Sequence, residues 1–156
     1  MSITPFLWFD NNAEEAVQFY ASIFKNSKVG NISRYGDGMP LPKGTAMTVD
    51  FHLDGRDFIA LNGGPTYKLT PAFSLFVSVE TQEEVDSLWE KLTAGGKEQP
   101  CGWLVDRFGL SWQIIPTTLM RLMSDPDRKK AGRVVQAMLQ MKKIDIAQLK
   151  RAYESD

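Results

Sequence analysis

The fold of this chain is indicated by residues 101–116, CGWLVDRFGLSWQIIP. Two short apolar runs, Trp103–Val105 and Leu110–Ile115, are joined there by Asp106-Arg107-Phe108-Gly109. An Asp that opens a turn can accept hydrogen bonds from backbone N–H groups ahead of it, and Gly tolerates the left-handed backbone that closes the turn. The segment therefore predicts a β-hairpin.

The second strand of this hairpin should have two different faces. Side chains alternate along a strand, so Ser111, Gln113 and Ile115 should point one way, and Trp112 and Ile114 the other. One apolar face combined with one face that carries a glutamine predicts the wall of a cavity.

The composition excludes several classes of partner. At 156 residues the chain is long enough for one domain with a sizeable core. A formal net charge of −1 gives no reason to expect nucleic acid or an anionic membrane. No apolar run approaches the roughly 20 residues that span a bilayer, and no secretory signal is visible in MSITPFLWFDNNAEE. The single cysteine, Cys101, excludes an internal disulfide, so we expect a cytoplasmic protein.

Apolar periodicity predicts the secondary structure on either side of the hairpin. In the first half, a helix over 13–24 is expected, with Asn11 or Asn12 as its cap, and strands over 3–10, 29–35, 45–53 and 58–61. In the second half, a strand over 72–79 precedes Thr81-Gln82-Glu83-Glu84, a capping box that begins a helix. The Gly/Pro-rich segment 36–44 is expected to be a loop.

The two halves correspond in sequence. With an offset of 69 residues, Glu14-Glu15 falls on Glu83-Glu84 and Phe19-Tyr20 on Leu88-Trp89; with a shift of 53, Ile59-Ala60-Leu61 falls on Trp112-Gln113-Ile114. We therefore predict an α+β fold in which residues 1–116 hold two β-α-β-β-β repeats, 3–64 and 72–116, whose curled mixed sheets close around a cleft.

Residues 117–156 predict a helical tail. Ser124-Asp125-Pro126 is typical of a helix start, and Asp145 can cap a last helix. The apolar stripes of these helices need a partner surface. Two alternatives remain open: the tail packs on its own domain, or it helps to form the homodimer that we expect.

With these motifs in view, the chain resembles the vicinal-oxygen-chelate superfamily, which includes glyoxalase I, bleomycin-resistance proteins and extradiol dioxygenases. More narrowly it resembles the PhnB-like branch, whose members often carry the label 3-demethylubiquinone-9 3-methyltransferase. The matching segments are Phe6-Leu7-Trp8-Phe9, Glu14-Glu15-Ala16, Asn62-Gly63-Gly64-Pro65, Thr81-Gln82-Glu83-Glu84-Val85-Asp86, Cys101-Gly102-Trp103-Leu104 with Asp106, and Phe108-Gly109 with Ser111-Trp112-Gln113-Ile114.

The resemblance implies four positions that carry metal ligands in metal-dependent members of the superfamily. Carried over to this chain, they are Pro5, Ala60, Ser74 and Gln113. Proline and alanine cannot ligate through their side chains, and transition-metal sites need several imidazole, thiolate or carboxylate groups. With one histidine in the whole chain, we expect no metal, no other cofactor, and neither glyoxalase I nor extradiol dioxygenase activity.

The histidine lies two residues from a carboxylate on a predicted strand. Asp50 and His52 could act together in proton transfer; alternatively, they form a solvated pair on an edge strand. Their direction depends on the turn after them. A three-residue turn, Asp54-Gly55-Arg56, would place both on the face of Ala60 and Asn62, and a two-residue turn would reverse this.

Four further residues are candidates for ligand binding: Asn62, Ser74, Trp103 and Gln113. The Gln113 amide could anchor a carbonyl or hydroxyl group, and Trp103 could offer a stacking surface, although turn formation, cross-strand bonding and core packing are the alternatives for these residues. We therefore expect metal-independent binding of a small organic molecule. The alternatives are an enzyme that uses Asp50 and His52, or a methyltransferase as the branch label suggests. The methyltransferase alternative lacks a strand followed by a G-x-G-type loop and a helix.

Overall fold

A boundary between two structural units lies at Leu69–Thr70 in the computed structural model, which describes residues 1–155. Each unit has one four-stranded sheet and one helix against it. The elements of the first unit are β1 (Phe6–Phe9), α1 (Ala13–Ile23), β2 (Lys28–Arg34), β3 (Ala46–Leu53) and β4 (Arg56–Asn62). Those of the second unit are β5 (Ser74–Val79), α2 (Gln82–Thr93), β6 (Lys97–Glu98), β7 (Trp103–Val105), β8 (Ser111–Pro116), α3 (Thr117–Met123), α4 (Arg128–Leu139) and α5 (Ile146–Glu154).

The two sheets have the same topology. The strand order is β1-β4-β3-β2 in the first and β5-β8-β7-β6 in the second. In each sheet the first and last strands of the repeat pair in parallel, and the other neighbours are antiparallel. The duplicated β-α-β-β-β architecture and the α+β class are therefore confirmed. The two-residue strand β6 is too short for apolar periodicity to have indicated it.

In the first unit, alternate side chains of the sheet pack against α1. Leu7 and Phe9 on β1, and Val49 and Phe51 on β3, are almost completely buried, while α1 buries its stripe at Ala13, Ala16, Val17 and Tyr20. We call this side of a sheet its helix face and the other side its open face. Burying such side chains contributes about 1.5–3 kcal/mol each, so the helix face is where the stability of the unit arises.

The first turn of α1 is capped from a distant strand. Asn12 is the N-cap residue, as expected, but it makes no side-chain cap hydrogen bond. Asn62 at the end of β4 replaces it: its Oδ1 accepts from the N–H of Ala13 at 2.8 Å, and its Nδ2 donates to the carbonyl of Ala46 at 3.0 Å. This side chain therefore joins α1, β3 and β4.

The hairpin between β7 and β8 is organised by Asp106, which is buried. Its Oδ1 accepts from the N–H groups of Phe108 at 2.8 Å and Leu110 at 3.0 Å, and Gly109 closes the turn with a φ of 91°. The turn chemistry expected from the sequence is thus present. In addition, Asp106 Oδ2 accepts from the indole N–H of Trp112 at 2.8 Å. One carboxylate therefore fixes both the turn and the largest fully buried side chain of β8.

The helical tail is part of the second unit. Its three helices enclose an apolar cluster with the end of β8, formed by Ile115, Leu119, Leu122, Val134, Met141, Ile144 and Leu149. Asp145 caps α5 as expected, whereas α4 begins later than Ser124-Asp125-Pro126, with Asp127 as its N-cap. Within residues 1–155 no helix is both long enough and apolar enough to cross a bilayer.

Side chains of α2 hold the segment before α5. Gln82 donates to the carbonyl of Ile144 and accepts from the N–H of Ile146. Lys143 Nζ lies 2.6 Å from Asp86 Oδ1, and this contact, together with a hydrogen bond from Gln82, holds the pKa of Asp86 below its usual value. Because the pKa is lowered, the contribution of this ion pair is lost as the pH falls through it.

The role of Asp106 gives a stability prediction. Asp106→Asn keeps one acceptor oxygen but places an NH2 group against either Trp112 or the turn, so a buried donor loses its partner. We expect the free energy of unfolding to fall by about 2–3 kcal/mol in urea denaturation. Asp127→Asn is the matched control, because its Oδ1 accepts from two backbone N–H groups at an exposed N-cap, where Asn caps as well as Asp. Equal stability losses in the two variants would contradict this role.

Candidate functional site

The turn between β3 and β4 decides which side chains reach the open face of the first sheet. Leu53 pairs with Arg56, so the turn has two residues, Asp54 and Gly55, with φ values of 43° and 85°. Positive φ at both positions is the geometry of a type I′ hairpin turn. The structure therefore has the two-residue turn, and Asp50 and His52 do not share a face with Ala60 and Asn62.

The open face of the first unit carries a pocket of about 330 Å3. Asp50 and His52 both line it. Its other lining residues are Thr4, Lys28, Gly30, Phe51, Asp57, Phe58 and Ile59. The volume lies at the lower end of the range typical of small-molecule sites, about 300–1,000 Å3.

The hydrogen-bond partner of His52 is Asp57 rather than Asp50. His52 Nδ1 lies 2.8 Å from Asp57 Oδ1, directly across the strand pair. Because an ionised carboxylate can only accept, Nδ1 donates in this hydrogen bond, and in the neutral imidazole Nε2 is then the basic nitrogen. The His52 side chain is 27% exposed. Sequence reasoning missed Asp57, although a two-residue Asp-Gly turn places it opposite His52.

Asn62 lies on the helix face, where it is 1% exposed and its amide oxygen and nitrogen are both hydrogen-bonded. It stabilises the fold, and we remove it from the set of ligand-binding candidates. Ala60 is also fully buried on this face, opposite Leu7. The open-face positions of the first unit that correspond to Ser74 and Gln113 are therefore Thr4 and Ile59, and the placement of Pro5 and Ala60 there is wrong.

The misplacement has a simple cause. The connection from β1 to α1 is one residue longer than that from β5 to α2, because Phe9 precedes its N-cap by three residues and Val79 by two. An offset that aligns the helices therefore moves every residue of the first strand to the opposite face.

The second sheet brings three of the four ligand-binding candidates together. Gln113 on β8 pairs with Trp103 on β7 and with Phe76 on β5, so the three residues lie in one row across the open face. Gln113 Nε2 donates to Ser74 Oγ at 2.9 Å. Phe76 is 49% exposed and was not singled out from the sequence, where a Phe on an apolar strand indicates core packing.

We call Ser74, Phe76, Trp103 and Gln113 the polar-aromatic row. Whichever way the Gln113 amide is oriented, its hydrogen bond to Ser74 leaves one acceptor and at least one donor for a ligand. Ser111, the next residue of β8 on this face, is completely buried, and its hydroxyl has no hydrogen-bond partner within residues 1–155. A buried hydroxyl without a partner costs about 1–3 kcal/mol, so Ser111 is a local cost to stability rather than a contact open to a ligand.

The donor groups do not fit a transition metal. The positions that would supply ligands hold Thr4 and Ile59 in the first unit and Ser74 and Gln113 in the second. Across residues 1–155, no three His, Cys, Asp or Glu side chains converge in a way that could hold a metal ion. Neutral hydroxyl and amide oxygens are poor ligands for Zn, Ni or Fe(II), and we derive no chemistry from a metal.

Comparisons with known proteins give a family match and several solved structures. A family model described as 3-demethylubiquinone-9 3-methyltransferase matches residues 1–115. A putative 3-demethylubiquinone-9 3-methyltransferase, PhnB protein, from Bacillus cereus is 37% identical, with 74% of this chain and 99% of that chain covered and a TM-score of 0.69. No curated protein matches the chain.

Two more distant structures support the fold alone. Protein PA1353 from Pseudomonas aeruginosa is 24% identical, with 74% of this chain and 97% of that chain covered and a TM-score of 0.62. The fosfomycin resistance protein FosX from Listeria monocytogenes, in complex with Mn(II) and sulfate, is 21% identical, with 73% and 89% covered and a TM-score of 0.52. Helices α3–α5 follow the last residue that the family model matches.

Proposed function

From the premise that this chain belongs to the 3-demethylubiquinone-9 3-methyltransferase family of the vicinal-oxygen-chelate superfamily, we propose that it binds a small organic molecule without a metal ion. In this proposal, side chains of the protein hold the ligand, a role that a metal ion has in metal-dependent members of the superfamily. The observation that carries this proposal is the hydrogen bond between Gln113 and Ser74 on the open face, where Phe76 and Trp103 lie on either side of Gln113.

The polar-aromatic row fits a particular kind of molecule. Gln113 and Ser74 offer a donor and an acceptor side by side, which suits a ligand with adjacent hydroxyl and carbonyl groups. Trp103 and Phe76 flank Gln113 and offer aromatic surface for an apolar or planar body. A partly planar molecule with one polar edge therefore fits both the polar and the aromatic side chains of the row.

The first test of this proposal is a binding screen in the presence of EDTA. Small hydroxy-carbonyl compounds are screened by ligand-observed NMR, and hits are titrated into the wild type and into Gln113→Ala. Loss of a hydrogen-bonded anchor should raise the Kd at least tenfold. Gln136→Ala, on the exposed side of α4, is the matched control and should not change it. Binding that requires an added divalent cation, or that survives Gln113→Ala unchanged, would refute the proposal.

A second candidate function, proton transfer by His52, is favoured by its contact with Asp57. A carboxylate that accepts from Nδ1–H fixes the tautomer and directs the basic Nε2 away from itself, as in many general bases. His52 also lines a pocket that is large enough for a small substrate. Asp50 lies on the same face and is available to hold a substrate rather than to orient the ring.

If His52 transfers a proton, its substitution should impair turnover but leave ligand binding almost unchanged. If a ligand from the screen is converted, His52→Gln should lower kcat at least 100-fold while the Kd changes less than threefold, because glutamine keeps a polar side chain but cannot transfer a proton at neutral pH. Asp57→Asn should have an intermediate effect. Unchanged kcat in His52→Gln would exclude this role.

Methyl transfer, the activity in the family description, has no support from a local feature. The strand-to-helix connections, 10–12 after β1, 80–81 after β5 and the direct junction at Pro116–Thr117, contain no glycine. Doubly wound methyltransferases bring their cofactor close to the backbone at a glycine-rich loop in such a connection. We therefore rank methyl transfer below ligand binding and proton transfer as the function of this protein.

We also propose that the protein forms a homodimer in the cytoplasm. Phe6 and Phe76 remain about half exposed on the open faces of their sheets, and Tyr67 is 65% exposed. Large exposed apolar patches mark protein–protein interaction sites, and these three side chains are candidates for such a surface. Light scattering at micromolar concentration should give twice the 17.6 kDa of one chain; a monomer mass throughout this range would contradict the proposal.

A further inference from the structure

Three charged side chains line the pocket of the first unit. Asp57 is paired with His52, whereas Lys28 and Asp50 carry opposite charges and do not contact each other. Lys28 lies directly opposite His52 in the β2–β3 pair, and Asp50 is two residues before His52. The two charged residues are therefore diagonal neighbours on one face. Within residues 1–155, neither side chain has a hydrogen bond or an ion pair, either with the other or with a third group.

From this arrangement we propose that the pocket binds a small zwitterion. Asp50 holds the cationic group of the ligand and Lys28 holds its anionic group. The ligand class is a short chain with an ammonium at one end and a carboxylate at the other. This site shares no residue with the polar-aromatic row, and the inference requires neither that row nor turnover by His52.

A β-bulge makes the space for such a ligand. Val29 pairs with Phe51 and Ile32 with Val49, so Gly30 and Asn31 together stand opposite Asp50 alone. A Cβ atom at Gly30 would lie 3.0 Å from the carbonyl oxygen of Asp50 and 3.2 Å from its Cβ. Because Gly30 has no side chain, the region beside the Asp50 carboxylate stays open.

The remaining walls suit the middle of the ligand. Ile59 pairs with Asp50 from the other side and offers an apolar surface for methylene groups. The imidazole of His52, which also lines the pocket, is held in place by Asp57. Charge-assisted hydrogen bonds are roughly twice as strong as neutral ones. A molecule that pairs with both Asp50 and Lys28 should therefore bind more tightly than one that pairs with only one of them.

The test is a titration of 15N-labelled protein with γ-aminobutyrate at low ionic strength, where charge interactions are least screened. Butyrate and butylamine, which each keep one charge, are the comparison ligands. The expected result is a set of amide shift changes confined to residues 28–31, 50–52 and 57–59, with a Kd at least tenfold lower for γ-aminobutyrate than for either comparison ligand.

Substitutions test whether Asp50 and Lys28 are the two groups that hold the ligand. Asp50→Asn and Lys28→Met should each weaken γ-aminobutyrate binding at least tenfold. The matched controls are Asp37→Asn and Lys25→Met, which change exposed side chains outside the pocket and should leave the Kd within twofold of the wild type. Gln113→Ala should also leave it unchanged.

Three outcomes would overturn the inference. One is equal binding of all three ligands. Another is retention of γ-aminobutyrate binding in both pocket variants. The third is loss of that binding in Gln113→Ala but not in Asp50→Asn, which would place the ligand on the second sheet. A far-UV spectrum and an unfolding midpoint close to those of the wild type must accompany each variant, so that a folding defect is not read as a binding defect.

Discussion

The two-residue turn at Asp54-Gly55 fixes the register on which the first unit depends. Both residues have positive φ, so the turn closes with Leu53 opposite Arg56. One more residue in the turn would move each side chain of β4 to the other face. Phe58 and Ala60 would leave the core, and Asn62 would leave the first turn of α1. The core, the start of the helix and the pocket on the open face are therefore consequences of one local geometry.

Local sequence predicts those features whose two partners lie close together in the chain. The capping box at Thr81 and Glu84 is one such case, and both of its hydrogen bonds are present. The turn bonds of Asp106 are another, since acceptor and donors lie within four residues. The alternation of Ser111 and Gln113 against Trp112 also follows from strand geometry alone, and it places Gln113 correctly on the open face.

Features that depend on distant partners could not be predicted in this way. Asn62 caps α1 from 49 residues away, so nothing near Ala13 indicates the cap. The choice between Asp50 and Asp57 as the partner of His52 required the register of the hairpin. Pro5 was misplaced because one extra residue between β1 and α1 changes the face without changing the apolar pattern of the helix, and Ala60 because the shift that related it to Gln113 was one residue too short. Register is thus the physical quantity that the sequence left undetermined.

The tail is bound to the second unit by a strained piece of backbone, and this affects the site beside it. Cys101 and Gly102 have φ values of 62° and 82°, and their N–H groups donate to the carbonyls of Met141 and Lys142 at 2.8 and 2.7 Å. A left-handed conformation at a residue other than glycine costs roughly 1–2 kcal/mol, so two hydrogen bonds to the tail help to maintain it. Residues 101–102 lead directly into Trp103.

The same segment of the tail closes one end of the polar-aromatic row. Ile115 follows Gln113 on the same face and is buried in the cluster formed with α3–α5. A Cβ atom at Gly102 would lie 2.7 Å from Ile115 Cδ1 and 3.1 Å from Ile144 Cγ1, so the tail packs closely against the residues next to Trp103 and Gln113. The face that carries Gln113 is therefore covered by the tail at Ile115. Since the family model ends before these helices, the cover at this end of the row comes from the part of the chain that the family match does not include.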